Sequence, residues 1–454
     1  MFQVWQNKWM NNNLNMAIIN LVKAAIKNPA YKSVATYIFT NFFSKGISLL
    51  LIFVFTNPKY LTPADNGILS LFASNLMLMA PFISLGMIQS TSADFFKKNP
   101  DEFKKSFASN FFISLFLSFL AVVFLFMFRD VLQKKFELPS SFVYIIPLLA
   151  FLIFCSEQLF ALVRNRQEVK RFATFGICKA IIEYGVSVIL IVFFFKGWQG
   201  RVWGIAISLI LVNLVGFFYY ARNNYLTFQI KGKHIWDEIK FGIPAITFQL
   251  CVFMLGTSNK LFLAIFNVDK YQLGIYAVAC VFGTLVGYLG QSIFLYIQPK
   301  VYKSISEGEA TLVSLRTEFF NYLKMLIAVA IPCILLVLFL YYYVIDKIYL
   351  PGVSLFLMVT LSSFIWQLNS YFFLFLLYYK AKRKIFLLAL ISVVTSIIVN
   401  IIMVKNFLII GDALASLINT CIFSVLVYLF IKKLVQTKFS KSPQPVLNDK
   451  LQLA

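Results

Sequence analysis

Long apolar runs separated by short polar gaps dominate the sequence. Each run has about 20 residues, the length that an α-helix needs to cross the hydrocarbon core of a bilayer. The pattern therefore predicts an all-α polytopic membrane protein with about 12 transmembrane helices. The first six spans lie near 34–55, 68–90, 108–128, 142–163, 173–195 and 202–220, and the last six near 242–266, 273–297, 319–343, 352–378, 385–404 and 410–431.

The composition excludes a water-soluble protein. Hydrophobic residues make up 60% of the chain and charged residues only 13%, which leaves too little polar surface to cover a soluble globule of this size. The net charge of +23 raises the question of nucleic acid, but the Lys and Arg residues fall in the gaps between spans rather than on one face of a domain. We therefore expect membrane lipids as the surroundings and no nucleic-acid partner.

The distribution of positive charge predicts the topology. Of the 41 Lys and Arg residues, 28 lie in the two terminal segments and the even-numbered gaps, and nine lie in the odd-numbered gaps. Because cytoplasmic loops of membrane proteins carry the excess of Lys and Arg, both termini are predicted to be cytoplasmic.

The spans divide into two halves of equal size. Each half has an even number of crossings, so the two would have the same orientation and be related by an axis along the membrane normal. Asn-Gly-Ile at 66–68 and Leu-Gly-Ile at 273–275 open the second span of each half. We therefore predict two pseudo-symmetric six-helix lobes. The segments are an interfacial N-terminus at 1–33, lobes at 34–220 and 242–431, a cytoplasmic linker at 221–241 and a cytoplasmic tail at 432–454.

Nothing in the sequence is typical of a membrane enzyme. The odd-numbered gaps are too short to hold a catalytic domain, which disfavours a polysaccharide polymerase or ligase. The only His is His234, and the six Cys residues fall inside spans without a C-x-x-C pair. We therefore expect no metal site and no cofactor.

Ionisable residues inside spans cost about 2.5 to 3.5 kcal/mol each on insertion scales, so they indicate function. Lys45 lies near the middle of the first span, close to Asn41, and we expect it to line a watery cavity. The alternative is an inward-facing Lys satisfied by neighbouring polar groups. Lys260 lies toward the outer end of the seventh span, where its amine can either face the cavity or snorkel to the surface.

Glu157 and Glu183 are the candidate coupling residues, and Lys179 is a further candidate for binding the substrate in the cavity. Lys179 and Glu183 are four residues apart in the fifth span, so they share a helix face, and Glu157 lies in the fourth span. They are either a structural ion pair or a site for the substrate or a proton. The sequence leaves these alternatives open.

Uncharged polar residues collect in the second half of the chain. On a common inward face they would form a hydrated wall suited to a hydroxyl-rich ligand, but each could equally bridge two helices. Gln249 and Gln291 are the candidate ligand-binding members of this group. The others are Gln367, Asn369, Asn400 and Asn419.

The segment between Tyr37 and Gln89 resembles the opening of polysaccharide transporters of the multidrug/oligosaccharidyl-lipid/polysaccharide (MOP) exporter superfamily, the Wzx-like repeat-unit flippases. The resemblance rests on Lys45-Gly46, on the turn Leu61-Thr-Pro-Ala-Asp-Asn-Gly67 and on Leu85-Gly86, with further similarity at 241–250 and 273–279.

The resemblance implies a function in surface polysaccharide or O-antigen (lipopolysaccharide) export. Two lobes around a central cavity would move an undecaprenyl-diphosphate-linked oligosaccharide across the bacterial inner membrane by alternating access. Lys45 would engage the anionic ligand, and Lys260 is a looser match because Asn259 stands where related sequences often have Asp. We expect a proton or sodium gradient as the driving force and polysaccharide-assembly proteins as partners. The alternative within the superfamily is a cation-coupled multidrug exporter, which typically has an acidic residue in the first span.

Overall fold

The computed structural model describes residues 36, 40, 43, 46, 47, 51–130, 139, 141–227, 232–256, 258–379 and 381–439. These residues form helices and connecting turns, with no strand among them, so the prediction of an all-α fold is confirmed. The predicted interfacial segment 1–33 and the candidate cavity residues Asn41 and Lys45 lie outside the described residues.

The first lobe contains the helices that precede residue 223. Helix α6 is prolonged by a π-helical turn at Ile189–Phe193. The helices are α1 (Ile52–Phe55), α2 (Pro63–Ser84), α3 (Met87–Lys97), α4 (Pro100–Met127), α5 (Phe142–Asn165), α6 (Val169–Val188) and α7 (Gly197–Arg222).

The second lobe begins inside the segment predicted as a linker. Helix α8 starts at Gly232, because Ile235 and Ile239 pack against the core of the first lobe and extend the helix beyond its apolar run. The linker is therefore shorter than the predicted 221–241. The helices are α8 (Gly232–Gly256), α9 (Asn259–Ile265), α10 (Lys270–Gly283), α11 (Leu285–Ser306), α12 (Leu312–Tyr343), α13 (Gly352–Tyr378) and α14 (Lys382–Phe439).

Nine helices of the described part are long and apolar enough to cross a membrane. The last of these, Arg383–Lys432, contains the two spans predicted at 385–404 and 410–431, and Leu408 interrupts its helical geometry between them. The seventh predicted span is divided into α8 and α9. The second predicted span is α2 followed by α3, and the eighth is α10 followed by α11.

Breaks inside these spans have local causes. Between α2 and α3, Leu85 has φ of 45° and Gly86 has φ of 64°. Glycine adopts this left-handed conformation freely, but at Leu85 the conformation is strained. The break changes the direction of the chain, and α3 then packs against α4, α5 and α8.

The two lobes meet at both ends of the bundle. We call the end that carries the Lys- and Arg-rich loops the basic end, and the other the opposite end. At the opposite end Ile52 and Leu71 of the first lobe share a hydrophobic core with residues of the second, including Leu273, Tyr276 and Phe282. At the basic end, α8 lies against α3 and α4 of the first lobe.

Candidate functional site

The turn at 61–67 contributes contacts that close the opposite end. Thr62 and Asp65 form a reciprocal cap at the start of α2, with Thr62 N–H donating to Asp65 Oδ2 at 2.9 Å and Asp65 N–H donating to Thr62 Oγ1 at 3.2 Å. Asn66 then donates through Nδ2 to the hydroxyl of Tyr349 in the second lobe, at 2.9 Å. One residue later, Gly67 brings the backbone of α2 against α10.

The basic end is closed by contacts between α8 and the segment from α2 to α3. Ser84 Oγ donates to Oε1 of Gln249 at 3.5 Å, so this predicted ligand-binding amide lies between the lobes. Gly242 packs on the first lobe so closely that an added Cβ would lie 2.7 Å from the carbonyl oxygen of Leu85. Nearer the basic end, the Ser90 hydroxyl donates to the carboxylate of Glu238.

Charged groups surround the contact between Ser90 and Glu238. Lys98 Nζ lies 2.5 Å from Asp94 Oδ2 and 3.4 Å from Glu238 Oε1, and it donates to Ser106 Oγ at 2.7 Å. Glu238 precedes the predicted membrane segment 242–266. Burial and the nearby carboxylate of Asp94 raise the pKa of Glu238 to about 7, although the Ser90 hydrogen bond and the charge of Lys98 act in the opposite direction.

Lys179 is a half-buried cation in the middle of α6. Among the described residues no carboxylate lies within 4 Å of its amine, which lies 6.0 Å from the centroid of the Phe160 ring. Three residues earlier, Gly176 faces Thr40 of the first span, with 2.7 Å between an added Cβ and Thr40 Cγ2. Lys179 therefore lies on the face of α6 that adjoins the first span.

Lys260, in α9, is the corresponding half-buried cation of the second lobe. It lies within electrostatic reach of Asp412 on α14, but the two are not within ion-pair distance in the described structure. Asp412 is 0% exposed, and the Tyr276 hydroxyl faces its carboxylate, although neither oxygen has a hydrogen bond of normal geometry among the described residues. An acid from another helix thus faces Lys260, and the residue that precedes Lys260 is the uncharged Asn259.

The predicted coupling residues are separated in the structure. Glu183 pairs with Arg201 of α7, at 2.6 Å between Oε1 and Nη2, rather than with Lys179. Arg201 also donates to Ser187 Oγ at 3.0 Å and stacks on Tyr184, with 4.3 Å between the guanidinium carbon and the ring centroid. Glu157 is exposed on α5. Glu183 is therefore held in an ion pair between two neighbouring helices.

Two of the amide residues of the second half, Asn369 and Asn419, bond to a neighbouring span. Gln367, Asn369, Asn400 and Asn419 are all buried. The Nδ2 group of Asn419 donates to Ser396 Oγ at 3.3 Å, which joins the two spans of α14. Gln291, by contrast, is exposed on α11. Of the two predicted ligand-binding amides, only Gln249 lies at the interface between the lobes.

Sequence reasoning missed Asp412, Glu238 and Arg201. Asp412 is the third residue of the span predicted at 410–431 and Arg201 directly precedes the span at 202–220, so both fell at boundaries where charges are usually assigned to loops. Glu238 fell in the predicted linker. A charge flanked by apolar residues, as in Gly-Asp-Ala-Leu at 411–414, was the available signal for Asp412. The described residues include no group of three metal-binding side chains.

Comparison with known proteins identifies the kind of fold and family. Residues 59–350 match the family described as polysaccharide biosynthesis protein. No curated protein sequence matches the chain. Among solved structures, the lipid II flippase MurJ in an inward closed conformation has a TM-score of 0.69 at 16% identity, covering 87% of each chain.

Two MATE structures are also similar. An inward-facing multidrug resistance MATE transporter of the MOP superfamily gives a TM-score of 0.67 at 13% identity, covering 89% of this chain and 95% of that chain. An outward-facing one gives 0.53 at 13% identity, covering 92% and 98%. The two-lobed fold and the resemblance found in the sequence are thereby confirmed. These structural neighbours are transporters and a flippase.

Proposed function

Since the chain belongs to the family of polysaccharide biosynthesis proteins and has the fold of MOP-superfamily transporters, we propose that it is a flippase for a lipid-linked oligosaccharide. The cargo is an undecaprenyl-diphosphate-linked repeat unit, which crosses the bacterial inner membrane for O-antigen or other surface polysaccharide assembly. The protein moves it by alternately opening the two ends of the bundle.

The observation that carries this proposal is the pair of half-buried lysines, Lys179 and Lys260, one in each lobe. Neither has a carboxylate within 4 Å among the described residues. An amine at this depth is costly unless a partner compensates it. A diphosphate that crosses hydrocarbon needs positive charges to compensate its negative charges. Lys supplies compact ammonium donors for phosphate oxygens. A cationic drug would instead be repelled, which disfavours the multidrug exporter.

The contacts between the lobes support alternating access. Each end is closed by a few side chains and close backbone contacts, namely Asn66 to Tyr349 at the opposite end and Ser90 to Glu238 at the basic end. Opening either end would break these polar contacts together with the apolar contacts that the two lobes share there. The greater similarity to inward-facing than to outward-facing transporters supports a cycle in which the opposite end is closed at this stage.

Orientation, driving force and partners form the rest of the proposal. The excess of Lys and Arg at the basic end supports a cytoplasmic location for that end and for both termini. A proton or sodium gradient drives the cycle, and assembly proteins at the opposite membrane surface receive the cargo.

The test uses purified protein in liposomes with a fluorescent undecaprenyl-diphosphate-linked oligosaccharide and a membrane-impermeant quencher. We expect Lys179→Met and Lys260→Met to slow flipping about tenfold or more each, since a hydrogen bond to a charged group contributes about 1.5 to 3 kcal/mol. Lys179→Arg and Lys260→Arg should retain most of the rate.

Lys324→Met is the matched control, because Lys324 is an exposed lysine within the apolar helix α12. It should flip at the wild-type rate. If the two Met variants flipped at the wild-type rate, these lysines would have no role in flipping. Equal quenching with and without wild-type protein would reject flipping itself.

A further inference from the structure

Glu238 is buried by a contact between the two lobes. It lies on α8, at the start of the second lobe, and is 2% exposed. Its carboxylate accepts a hydrogen bond from Ser90 and lies 3.4 Å from Lys98 Nζ, both in the segment of α3 and its C-terminal cap in the first lobe. On the adjacent turns of α8, Ile235 and Ile239 pack on the core of the first lobe. Separation of α8 from α3 would therefore expose Glu238 to water.

The charges that face Glu238 do not balance. Helix α3 supplies Asp94, and its cap supplies Lys98, which also pairs with Asp94 at 2.5 Å. On α4, Lys104 and Lys105 are half-buried but form no ion pair with Glu238 within 4 Å, and Asp237 and Lys240, on its own helix, are exposed. When both carboxyl groups are ionised, two negative charges share the ammonium of Lys98, and one of them, that of Glu238, is buried, whereas the side chains of Asp94 and Lys98 are 18% and 27% exposed.

We propose that Glu238 is a proton-binding site between the lobes, and that proton uptake at Glu238 accompanies closure of the basic end. This inference deepens the proposed function, because it gives the transport cycle a proton-coupled step. A proton on Glu238 removes the excess negative charge at the moment when water is excluded. When the end opens, the carboxyl group is hydrated again and releases the proton to the basic side.

The sign of the pH dependence follows from linkage. In the closed state burial and Asp94 raise the pKa of Glu238 to about 7, whereas in the open state the exposed group returns toward its ordinary value of 4.5. The closed state therefore binds more protons between these two values. Lower pH favours closure, and the ratio of closed to open molecules falls by up to about tenfold for each unit of rising pH in this window.

The test measures the distance between the lobes by double electron–electron resonance, in lipid nanodiscs and without cargo. Spin labels are attached to Glu102→Cys on α4 and Arg383→Cys on α14, both exposed at the basic end, after the native cysteines are replaced. We expect the population with the longer distance to grow as pH rises from 5 to 8. Because no cargo is present, the result is independent of whether the protein flips a lipid-linked oligosaccharide.

Three variants define the outcome. Glu238→Gln keeps the shape of the side chain but is always neutral, so it should give the short distance at every pH. Asp237→Asn, the matched control on the exposed side of α8, should keep the wild-type pH dependence. Lys98→Met should move the midpoint to higher pH, because Lys98 opposes protonation of Glu238.

A pH-independent distance in the wild type would overturn the proposal, as would Glu238→Gln with unchanged pH dependence or loss of the dependence in Asp237→Asn. Hydrogen exchange in the unlabelled, cysteine-containing protein provides a second measurement. We expect peptides from Met87–Lys97 to exchange faster at higher pH after correction for intrinsic rates, and only when Glu238 is present. Equal corrected rates at pH 5 and pH 8 would equally reject the proposal.

Discussion

Gly67 of α2 and Gly274 of α10 lie backbone to backbone at the opposite end of the bundle. A Cβ at Gly67 would overlap the carbonyl oxygen of Lys270, and a Cβ at Gly274 would overlap that of Pro63. These glycines belong to the two Gly-Ile dipeptides that open the second span of each half. The repeated dipeptide therefore marks one contact, made symmetrically by both lobes, rather than two separate sites.

Replacing either glycine by alanine should prevent closure of the opposite end. The added methyl group forces the two backbones apart, and overpacking of this kind costs about 1 to 3 kcal/mol. We expect Gly67→Ala and Gly274→Ala to shift molecules toward separation at this end. Spin labels at Lys59→Cys and Lys347→Cys, exposed on the two sides of the contact, would report the change.

Gly185→Ala provides the control for the glycine variants. Gly185 also lies in a membrane helix, but an added Cβ there has no neighbour within 4 Å. It should leave the distance between the labels unchanged. An unchanged distance in Gly274→Ala would show that the lobes close without this backbone contact.

Removing the Tyr349 hydroxyl should also weaken closure of the opposite end, but less than the glycine substitutions do. The Tyr349 hydroxyl accepts a hydrogen bond from Asn66 Nδ2 across the two lobes, at 2.9 Å, and Tyr349 is fully buried. Because a hydrogen bond contributes about 0.5 to 1.5 kcal/mol net, Tyr349→Phe should increase the separated population about two- to twelvefold. The exposed Tyr342→Phe should not change it. The two labels at 59 and 347 measure both variants, and equal populations would assign closure to the glycines alone.

Periodicity and charge predicted the membrane fold because they depend on local composition. About 20 apolar residues span a bilayer whatever their tertiary partners. The same reasoning did not predict the break at Leu85, because left-handed geometry at a leucine is imposed by packing and not by its own preference. It also assigned Glu238 to a linker, since the partners that bury this residue, Ser90 and Lys98, lie almost 150 positions earlier in the chain.

The ion pair between Glu183 and Arg201 should stabilise the first lobe rather than couple transport to a gradient. Both side chains are largely buried, with 19% and 16% exposure. Glu183→Gln leaves the guanidinium without its charge partner, so we expect the free energy of unfolding to fall by roughly 1 to 3 kcal/mol, with allowance for residual solvent screening. Thermal unfolding in detergent would measure this loss.

A double variant separates the two roles of Glu183. Glu183→Met combined with Arg201→Met removes both charges and should recover part of the lost stability, because no unpaired charge remains. Export should then recover with it. If Glu183→Gln abolished export while the unfolding temperature stayed at the wild-type value, Glu183 would belong to the transport mechanism.

The candidate site was only partly predictable from the sequence, because tertiary contacts determine the surroundings of its residues. Lys179 and Lys260 stood out because lysine is rare inside apolar spans, and the structure finds both half-buried without a close carboxylate. Their surroundings depend on contacts between helices distant in sequence, such as the approach of α14 to α9. The pairing of Glu183 was likewise undecidable from spacing, because Arg201 competes from the next helix with Lys179 on the same one.

Asp412→Asn should make the protein more stable and the flippase slower. The carboxylate of Asp412 is fully buried, and only the Tyr276 hydroxyl and Lys260 face it, without a hydrogen bond of normal geometry among the described residues. The neutral amide should therefore raise the free energy of unfolding by roughly 1 to 3 kcal/mol. The same change removes the negative charge that faces Lys260. Lys260 would then hold the diphosphate more tightly and release it more slowly. Thermal unfolding and the liposome assay measure the two effects, and Asp130→Asn, an exposed aspartate, should change neither. A less stable Asp412→Asn protein would show instead that the carboxylate has a favourable charged partner in the membrane.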